Sequence, residues 1–196
     1  MNHATTFSAA TFVVLLGGAA AQAADCPVDV ESAFDLEEAQ VVALYDCMKD
    51  AMVTGYSKQG NKVAQNYRNW TISSTRPAVA GPHGNRLLQT FANPIAAEQY
   101  LKFEEQGVKM PAGSVLAKES ITISKKKKAA RIGPLFLMTK LAAGGAPETD
   151  DWLYGGIQPN GKPMKFKQSF CHDCHIGWAD QDSLAYPLEE VRVSSN

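Results

Sequence analysis

Cys171-His172-Asp173-Cys174-His175 lies in the last stretch of the 196-residue chain and has the pattern C-x-x-C-H, which is typical of covalent attachment of a c-type haem. Two thiols three positions apart can each add to a haem vinyl group and form a thioether. The next residue, His175, is then held against one face of the ring, where its imidazole can bind the iron. The motif therefore predicts one haem c attached through Cys171 and Cys174, with His175 as the metal ligand.

Three other interpretations use the same residues. A zinc site would combine Cys171 and Cys174 with one or both histidines, but structural zinc usually draws on a second, distant ligand pair. The remaining cysteines, Cys26 and Cys47, have no close-spaced histidine. A thioredoxin-like C-x-x-C is expected near a βαβ pattern, and a plain disulfide between Cys171 and Cys174 leaves the adjacent histidine unexplained. Haem c accounts for all three residues.

The first 23 residues have the pattern of a secretory signal peptide. An apolar run at residues 12–20 is followed by Ala21-Gln22-Ala23, an A-x-A cleavage site. The run is too short for a membrane-spanning helix. Since bacteria attach haem to apo-cytochromes outside the cytoplasm, export agrees with the haem motif. We expect a soluble periplasmic protein that begins at Ala24 or Asp25 and has no membrane segment.

The two remaining cysteines are expected to form a disulfide in that oxidising compartment. Cys26 lies at the predicted mature N-terminus, and Cys47 lies within a strong helical pattern. A bridge between them would tie the N-terminus to the fold and contribute about 2–4 kcal/mol. Two unpaired thiols are the alternative.

The composition indicates one compact domain with a full core, because 45% of the residues are hydrophobic and the formal net charge is -1. There is no basic excess of the kind that nucleic-acid binding requires. The lysine run at residues 125–128 falls where a hairpin would turn, so a solvated loop is the favoured interpretation. A docking patch for an acidic electron-transfer partner is the alternative.

Hydrophobic periodicity predicts a mixed α+β fold: an antiparallel sheet with flanking helices. Helices are expected over residues 35–56, 61–70 and 94–106, and strands over 85–91, 114–124, 134–140 and 152–158. Several strands, ten prolines and fifteen glycines argue against a four-helix bundle. Because no methionine follows His175, the chain also differs from small electron-transfer cytochromes that take a methionine ligand downstream of the motif.

Several segments resemble the cytochrome P-460 family, which includes the β-type cytochromes c′. The segments are Tyr67-Arg-Asn-Trp70, His83-Gly-Asn-Arg86, Asn93-Pro-Ile-Ala-Ala-Glu-Gln-Tyr100, Met110-Pro-Ala-Gly-Ser-Val-Leu-Ala-Lys-Glu119, Asp151-Trp-Leu-Tyr154 and Phe170-Cys-His-Asp-Cys-His175. The resemblance divides the chain into a signal peptide (1–23), an N-terminal helical extension with the disulfide (24–66) and a haem domain (67–196).

The resemblance implies a predominantly antiparallel β fold, a homodimer and a five-coordinate haem c with an open distal face. In the hydroxylamine-oxidising members a strand lysine is cross-linked to the porphyrin, and the matching position here is Lys118. In the β-type cytochromes c′ the haem is not cross-linked, the distal pocket is apolar and the protein binds nitric oxide.

The sequence pattern alone does not decide the roles of the other candidate site residues. The strand alternation sets Lys118 beside Leu116 on the face away from the core, where a solvated lysine is expected. The family match instead makes Lys118 a pocket residue. His83, in a Gly-Pro-His-Gly loop, is a candidate distal residue; Met110, Met138 and Met164 precede the motif as other candidate ligands. Glu119 and Asp151 are candidate proton acceptors for hydroxylamine chemistry.

Two functions remain open at this stage. One is an enzyme that oxidises hydroxylamine or a related small nitrogen compound and passes electrons to a soluble cytochrome. The other is a binding protein that traps nitric oxide or carries single electrons. A lysine cross-link would favour the enzyme, and an uncross-linked haem in a pocket lined by Phe or Leu would favour the binder.

Overall fold

A computed structural model describes Met1, residues 26–126 and residues 128–194. Apart from Met1, the predicted signal peptide lies outside the described residues, as do the two predicted mature starts, Ala24 and Asp25. Lys127 of the predicted lysine turn lies outside them as well. The described neighbours Lys125, Lys126 and Lys128 form a turn between two strands, as predicted.

Within the described residues, four α-helices form where the sequence supplies caps and breaks. They are α1 (Glu38–Ser57), α2 (Lys62–Asn66), α3 (Pro94–Tyr100) and α4 (Gln168–His175). The start of α1 was predicted at Asp35, but Asp35 closes a short 3₁₀ turn capped by Ser32. A second capping box at Glu37 then starts the α-helix. The helix expected to reach residue 106 ends at Tyr100, before the left-handed Phe103 (φ 50°).

In the part of the chain that the structure describes, seven strands form one antiparallel sheet, so the predicted α+β fold class is confirmed. They are β1 (Thr71–Ile72), β2 (Ala78–Ala80), β3 (Arg86–Ala92), β4 (Val115–Ser124), β5 (Ala129–Ile132), β6 (Leu135–Lys140) and β7 (Trp152–Ile157). The main path runs β1-β3-β4-β6-β7, with β2 beside β3 and β5 beside β4. The sequence analysis found the four longer strands and missed β1, β2 and β5. It placed β6 as the hairpin partner of β4; both β5 and β6 pair with β4, over different parts of its length.

The two faces of the sheet are covered by different parts of the chain. Helix α1 packs its buried side chains against one face in a hydrophobic cluster with Leu87, Phe91, Ala117 and Ile121. The opposite face carries α3 and the chain that follows β7, including Leu184. Consequently β4 is buried on both faces from Leu116 to Ile121. The solvated outer face that the alternation predicted for Lys118 is therefore wrong.

The predicted bridge between Cys26 and Cys47 is present as a disulfide. Cys26 is buried in the same cluster as α1, so the bridge fastens residue 26 to the helix that packs on the sheet. Among the residues that the structure describes, none of the helices combines the length and the apolar character needed to cross a bilayer.

Candidate functional site

A cavity of about 650 Å³ opens between the sheet and the segment that carries the C-x-x-C-H motif. Its wall contains all five residues that the sequence analysis assigned to cofactor binding: His83, Lys118, Cys171, Cys174 and His175. They come from a loop, a central strand and a helix that are far apart in sequence. The fold thus brings together in one cavity the residues predicted from separate motifs.

The motif occupies the last turns of α4, so Cys171, Cys174 and His175 lie within about one helical turn of each other. Both thiols are free, with Cys174 exposed and Cys171 half-buried. His175 is buried, and its Nδ1 lies 2.8 Å from the carbonyl oxygen of Ser183. A carbonyl only accepts, so Nδ1 carries the proton and Nε2 keeps a free lone pair. This is the tautomer that a metal ligand requires.

The carbonyl that orients His175 belongs to a tightly held turn. Asp182 and Ser183 both have positive φ values, 55° and 61°. The Asp182 carboxylate accepts hydrogen bonds from the backbone N–H of Met110 (2.8 Å) and the Lys140 ammonium (2.7 Å). The indole of Trp152 donates to the Asp182 carbonyl at 2.8 Å. These bonds hold the backbone at Ser183 where it meets the imidazole.

Burial shapes the charge state of both histidines in the cavity. Burial, helped by the Lys118 charge, lowers the pKa of His175 to about 4. The pKa of His83 falls to about 3, first through burial and then through the charges of Lys118 and His175. Both imidazoles are therefore neutral near pH 7, and neutral imidazole is the form that binds metals.

Lys118 points from β4 into the cavity and is only 6% exposed. Its ammonium donates one long hydrogen bond, 3.4 Å, to the carbonyl of Ala185. Burial lowers the pKa of Lys118 to about 8. A buried amine with a single long hydrogen bond destabilises the folded state. Such groups are typical of functional positions.

Glu119 lies on the opposite face of the sheet, because successive strand residues alternate. Its carboxylate accepts hydrogen bonds from the hydroxyls of Tyr67 and Tyr45, the latter at 2.7 Å. Arg68 forms an ion pair with it at 2.6 Å. Burial raises the pKa of Glu119, and Arg68 and the two tyrosines oppose that rise. Glu119 does not line the cavity, and this placement does not fit the expected proton acceptor beside a haem.

The other candidates from the sequence divide between the cavity and the rest of the fold. Met138 and Met164 line the cavity, whereas Met110 is packed in the core beside α3. The Asp151 carboxylate accepts backbone hydrogen bonds from Ala146 (3.0 Å) and Gly144 (3.1 Å), and so holds its own loop. Neither Asp nor Glu occurs among the described residues that line the cavity.

The cavity fits a haem in size and chemistry. Most of its wall is apolar, with Leu88, Leu116 and Phe136 from the sheet, and its volume lies in the range of small-ligand and cofactor sites. Two buried polar atoms in the wall, Arg86 Nε and the Tyr186 hydroxyl, have no hydrogen-bond partner among the described residues. A guanidinium and a phenol with spare donors suit the propionate carboxylates that a haem carries.

The sequence analysis gave no role to Arg86, Tyr186 or Ser183. Arg86 stood inside a segment quoted for the resemblance, so its charge next to a loop histidine was an available signal. The contribution of Ser183 is a backbone carbonyl, which leaves no mark in a sequence. The zinc alternative finds no further ligands, since no cluster of three His, Cys, Asp or Glu suited to a metal occurs within the described ranges.

Comparison with known protein families identifies this chain's family. The family model described as cytochrome P460 matches residues 64–185, which is more than half of the chain. The matched segment contains the C-x-x-C-H motif, Lys118 and His83. No curated protein matches the chain.

Proposed function

The chain belongs to the cytochrome P460 family, a family of haem proteins, and from this premise we propose that it holds one haem c and binds a small nitrogen compound, hydroxylamine or nitric oxide, on it. The observation that carries the proposal is the meeting of Cys171, Cys174, His175 and Lys118 in one cavity of about 650 Å³. When bound there, haem supplies an exchangeable iron coordination position and one-electron redox chemistry.

The chain's own residues have separable tasks in this proposal. Cys171 and Cys174 would hold the haem by thioethers, and His175 would bind the iron through Nε2, the nitrogen that its hydrogen bond to Ser183 leaves free. Arg86 Nε and the Tyr186 hydroxyl, which have no hydrogen-bond partner among the described residues, would donate to the haem carboxylates. The apolar side chains of the wall would exclude water from the ring.

Lys118 is the feature that favours oxidation over binding alone. Its position matches the lysine that, by the resemblance, is cross-linked to the porphyrin in hydroxylamine-oxidising members. Oxidation of hydroxylamine releases one proton for each electron withdrawn, whether the product is nitric oxide or nitrous oxide. The electrons would pass to a soluble redox partner such as another cytochrome.

A different observation favours a second candidate function. In this function the protein is a β-type cytochrome c′-like nitric oxide binder or single-electron carrier. The cavity wall is rich in Leu and Phe, and the described residues lining it include no carboxylate that could accept a proton from hydroxylamine. Such a wall suits a neutral diatomic ligand.

The proposal includes export to the periplasm and assembly as a homodimer. The Ala-x-Ala pattern at residues 21–23 and the Cys26–Cys47 disulfide both support an oxidising compartment. Sedimentation of the purified holoprotein tests the dimer, and fractionation of expressing cells tests the location.

The decisive experiment is expression in a host that matures c-type cytochromes, followed by intact mass and absorption spectra of oxidised and dithionite-reduced protein. Wild type should carry the added mass of one haem, and the Cys171→Ala, Cys174→Ala variant should lose it. Cys26→Ala, Cys47→Ala is the matched control, since it removes two cysteines outside the motif and should keep the haem. Because a Lys118 cross-link would also tether haem, the motif variant is made with Lys118→Ala as well. Covalent haem in that triple variant would refute the proposal.

The same spectra separate the two candidate functions. A strongly red-shifted ferrous Soret band that is absent in Lys118→Ala would indicate a cross-linked haem, and hydroxylamine-dependent reduction of a soluble cytochrome should then follow. An ordinary ferrous c-haem spectrum without turnover, combined with tight nitric oxide binding, would assign the protein to the binders.

A further inference from the structure

The imidazoles of His83 and His175 lie close together in the cavity. Their ring centres are 6.3 Å apart, and their planes are inclined by 81°. Because a metal–imidazole bond is about 2 Å long and the ring centre lies roughly 1 Å beyond the nitrogen, two imidazoles that bind one ion from opposite sides have their centres about 6 Å apart. The observed separation matches that geometry.

His83 is held in place by its backbone. It ends a 3₁₀ turn, Gly81–His83, in which the N–H groups of Gly84 and Asn85 donate to the Gly81 carbonyl at 2.9 and 3.3 Å. Gly84 has a φ of 71°, and a side chain there would strike the Arg86 guanidinium. That guanidinium donates to the His83 carbonyl. The turn therefore presents the ring to the cavity in a defined position.

The His83 ring itself has no polar partner in the described part of the chain. It packs against Phe136, with ring centres 5.0 Å apart, and neither of its nitrogens takes part in a hydrogen bond to a described residue. A half-buried imidazole usually satisfies at least one nitrogen. The His83 ring therefore lies within metal-bridging distance of His175, and its nitrogens are unpaired among the described residues.

The methionines of the cavity are weaker candidates for the same position. Met138 packs in the apolar cluster that contains Leu116 and Tyr154. The Met164 sulfur fills the space beside Gly156, where an added Cβ would lie 2.5 Å from it. Both side chains are thus accounted for by packing.

We infer that His83 is the sixth ligand of the haem iron, bound opposite His175 and displaced when a small nitrogen compound binds. The inference rests on the proposed function, since it requires a haem held by Cys171, Cys174 and His175. It departs from the five-coordinate haem that the resemblance implies. In this arrangement the His83 turn controls access to the iron, because every ligand must first displace the imidazole.

The test uses the holoprotein with covalent haem, with and without His83→Ala. Ferric wild type should give a low-spin absorption spectrum and a highly anisotropic low-spin electron paramagnetic resonance signal, because the two ring planes are close to perpendicular. His83→Ala should be high-spin, and added imidazole should restore the low-spin state. Met138→Leu and Met164→Leu are the matched controls and should remain low-spin.

Ligand binding gives an independent readout. Cyanide binding to ferric protein and nitric oxide binding to ferrous protein should each be at least about tenfold tighter in His83→Ala, if His83 occupies the iron nine-tenths of the time or more. Should His83→Ala fail to mature, electron–nuclear spectroscopy of wild type containing ¹⁵N-histidine counts the bound imidazoles directly; two support the inference and one overturns it.

Different results would refute the proposed function and the His83 inference. Absence of covalent haem in wild type would refute the proposed function. Covalent haem that is high-spin in wild type, with cyanide affinity unchanged by His83→Ala, would overturn the His83 inference alone. Loss of the low-spin signal in a methionine variant but not in His83→Ala would also overturn it and assign the position to sulfur.

Discussion

Lys118 and Glu119 are neighbours on β4, and their surroundings are opposite in kind. Glu119 is 1% exposed and has three donors: two tyrosine hydroxyls and the Arg68 guanidinium. Lys118 is 6% exposed and has a single long hydrogen bond to a carbonyl. Both carry a formal charge into the interior, but only Glu119 meets an opposite charge there.

The contrast distinguishes the two faces of the sheet: the α1 face stabilises the fold, and the cavity face can accept a ligand. On the α1 face the buried polar group has its partners, and the Cys26–Cys47 bridge fastens the covering chain. On the cavity face, polar atoms of Arg86 and Tyr186 have no hydrogen-bond partner within the described residues, and apolar side chains surround a space. Natural proteins keep such unsatisfied groups mainly where a ligand completes them.

The largest effect should follow from breaking the satisfied face. Glu119→Ala leaves the Arg68 charge in a partly buried site beside two tyrosines, so we expect a loss of about 3–5 kcal/mol in the free energy of unfolding. Urea unfolding followed by circular dichroism measures it. Covalent haem and its spectrum should persist in the folded variant, because Glu119 does not line the cavity.

The double variant Arg68→Met, Glu119→Leu is the control for that result. It removes both charges and fills the space with apolar atoms, so it should be markedly more stable than Glu119→Ala. If the single variant instead unfolds at the wild-type urea concentration but loses its haem spectrum, the division of roles between the two faces is wrong.

The disulfide should give the next effect on the same face. Cys26 and Cys47 are 21 residues apart in the chain, and opening a loop of that size should cost about 3 kcal/mol of unfolding free energy. Cys26→Ala, Cys47→Ala and wild type treated with a thiol reductant should lose similar stability. Thioethers resist thiol reductants, so haem released by such treatment would argue against attachment through Cys171 and Cys174.

Changing the cavity face should cost little. Lys118→Met replaces a poorly compensated buried amine by an apolar chain of similar length, so the free energy of unfolding should stay within about 1 kcal/mol of wild type or rise. Urea unfolding of Lys118→Met beside Glu119→Ala compares the two faces directly. A loss as large as that of Glu119→Ala would make Lys118 a structural residue.

Local sequence signals were sufficient for much of the fold. The four longer strands and the helix at residues 94–100 follow from periodicity and caps, which are properties of short windows. The short strands β1, β2 and β5 carry too few residues to show a period. The solvated face expected for Lys118 was wrong because a window cannot reveal that a distant segment covers the outer side of β4.

The candidate site likewise contains residues that the sequence could predict and residues that it could not. Cys171, Cys174 and His175 were predicted from a local motif, because covalent haem attachment requires this spacing of two thiols and a histidine. The alternation of β4 separated the face of Lys118 from that of Glu119, but it could not reveal that a distant segment encloses a cavity on the Lys118 face. The support of His175 by the Asp182 and Ser183 turn depends on backbone groups and on Met110, far away in the chain.

Asp151 extends the comparison to an exposed carboxylate and gives the smallest expected effect. Hydrogen bonds from the backbone of Ala146 and Gly144 lower its pKa below the ordinary value of 3.8. A carboxylate with a lowered pKa in the folded state adds stability above its unfolded pKa and loses that stability as the pH falls through the folded pKa. Asp151→Asn should therefore lower the urea midpoint slightly near pH 6, and the difference from wild type should shrink as the pH falls below 3.8. Asp150→Asn, which removes an adjacent carboxylate that accepts no hydrogen bond from a described backbone N–H, should follow wild type throughout. If Asp151→Asn instead leaves the urea midpoint unchanged and abolishes hydroxylamine turnover, Asp151 is a proton acceptor and not a loop support.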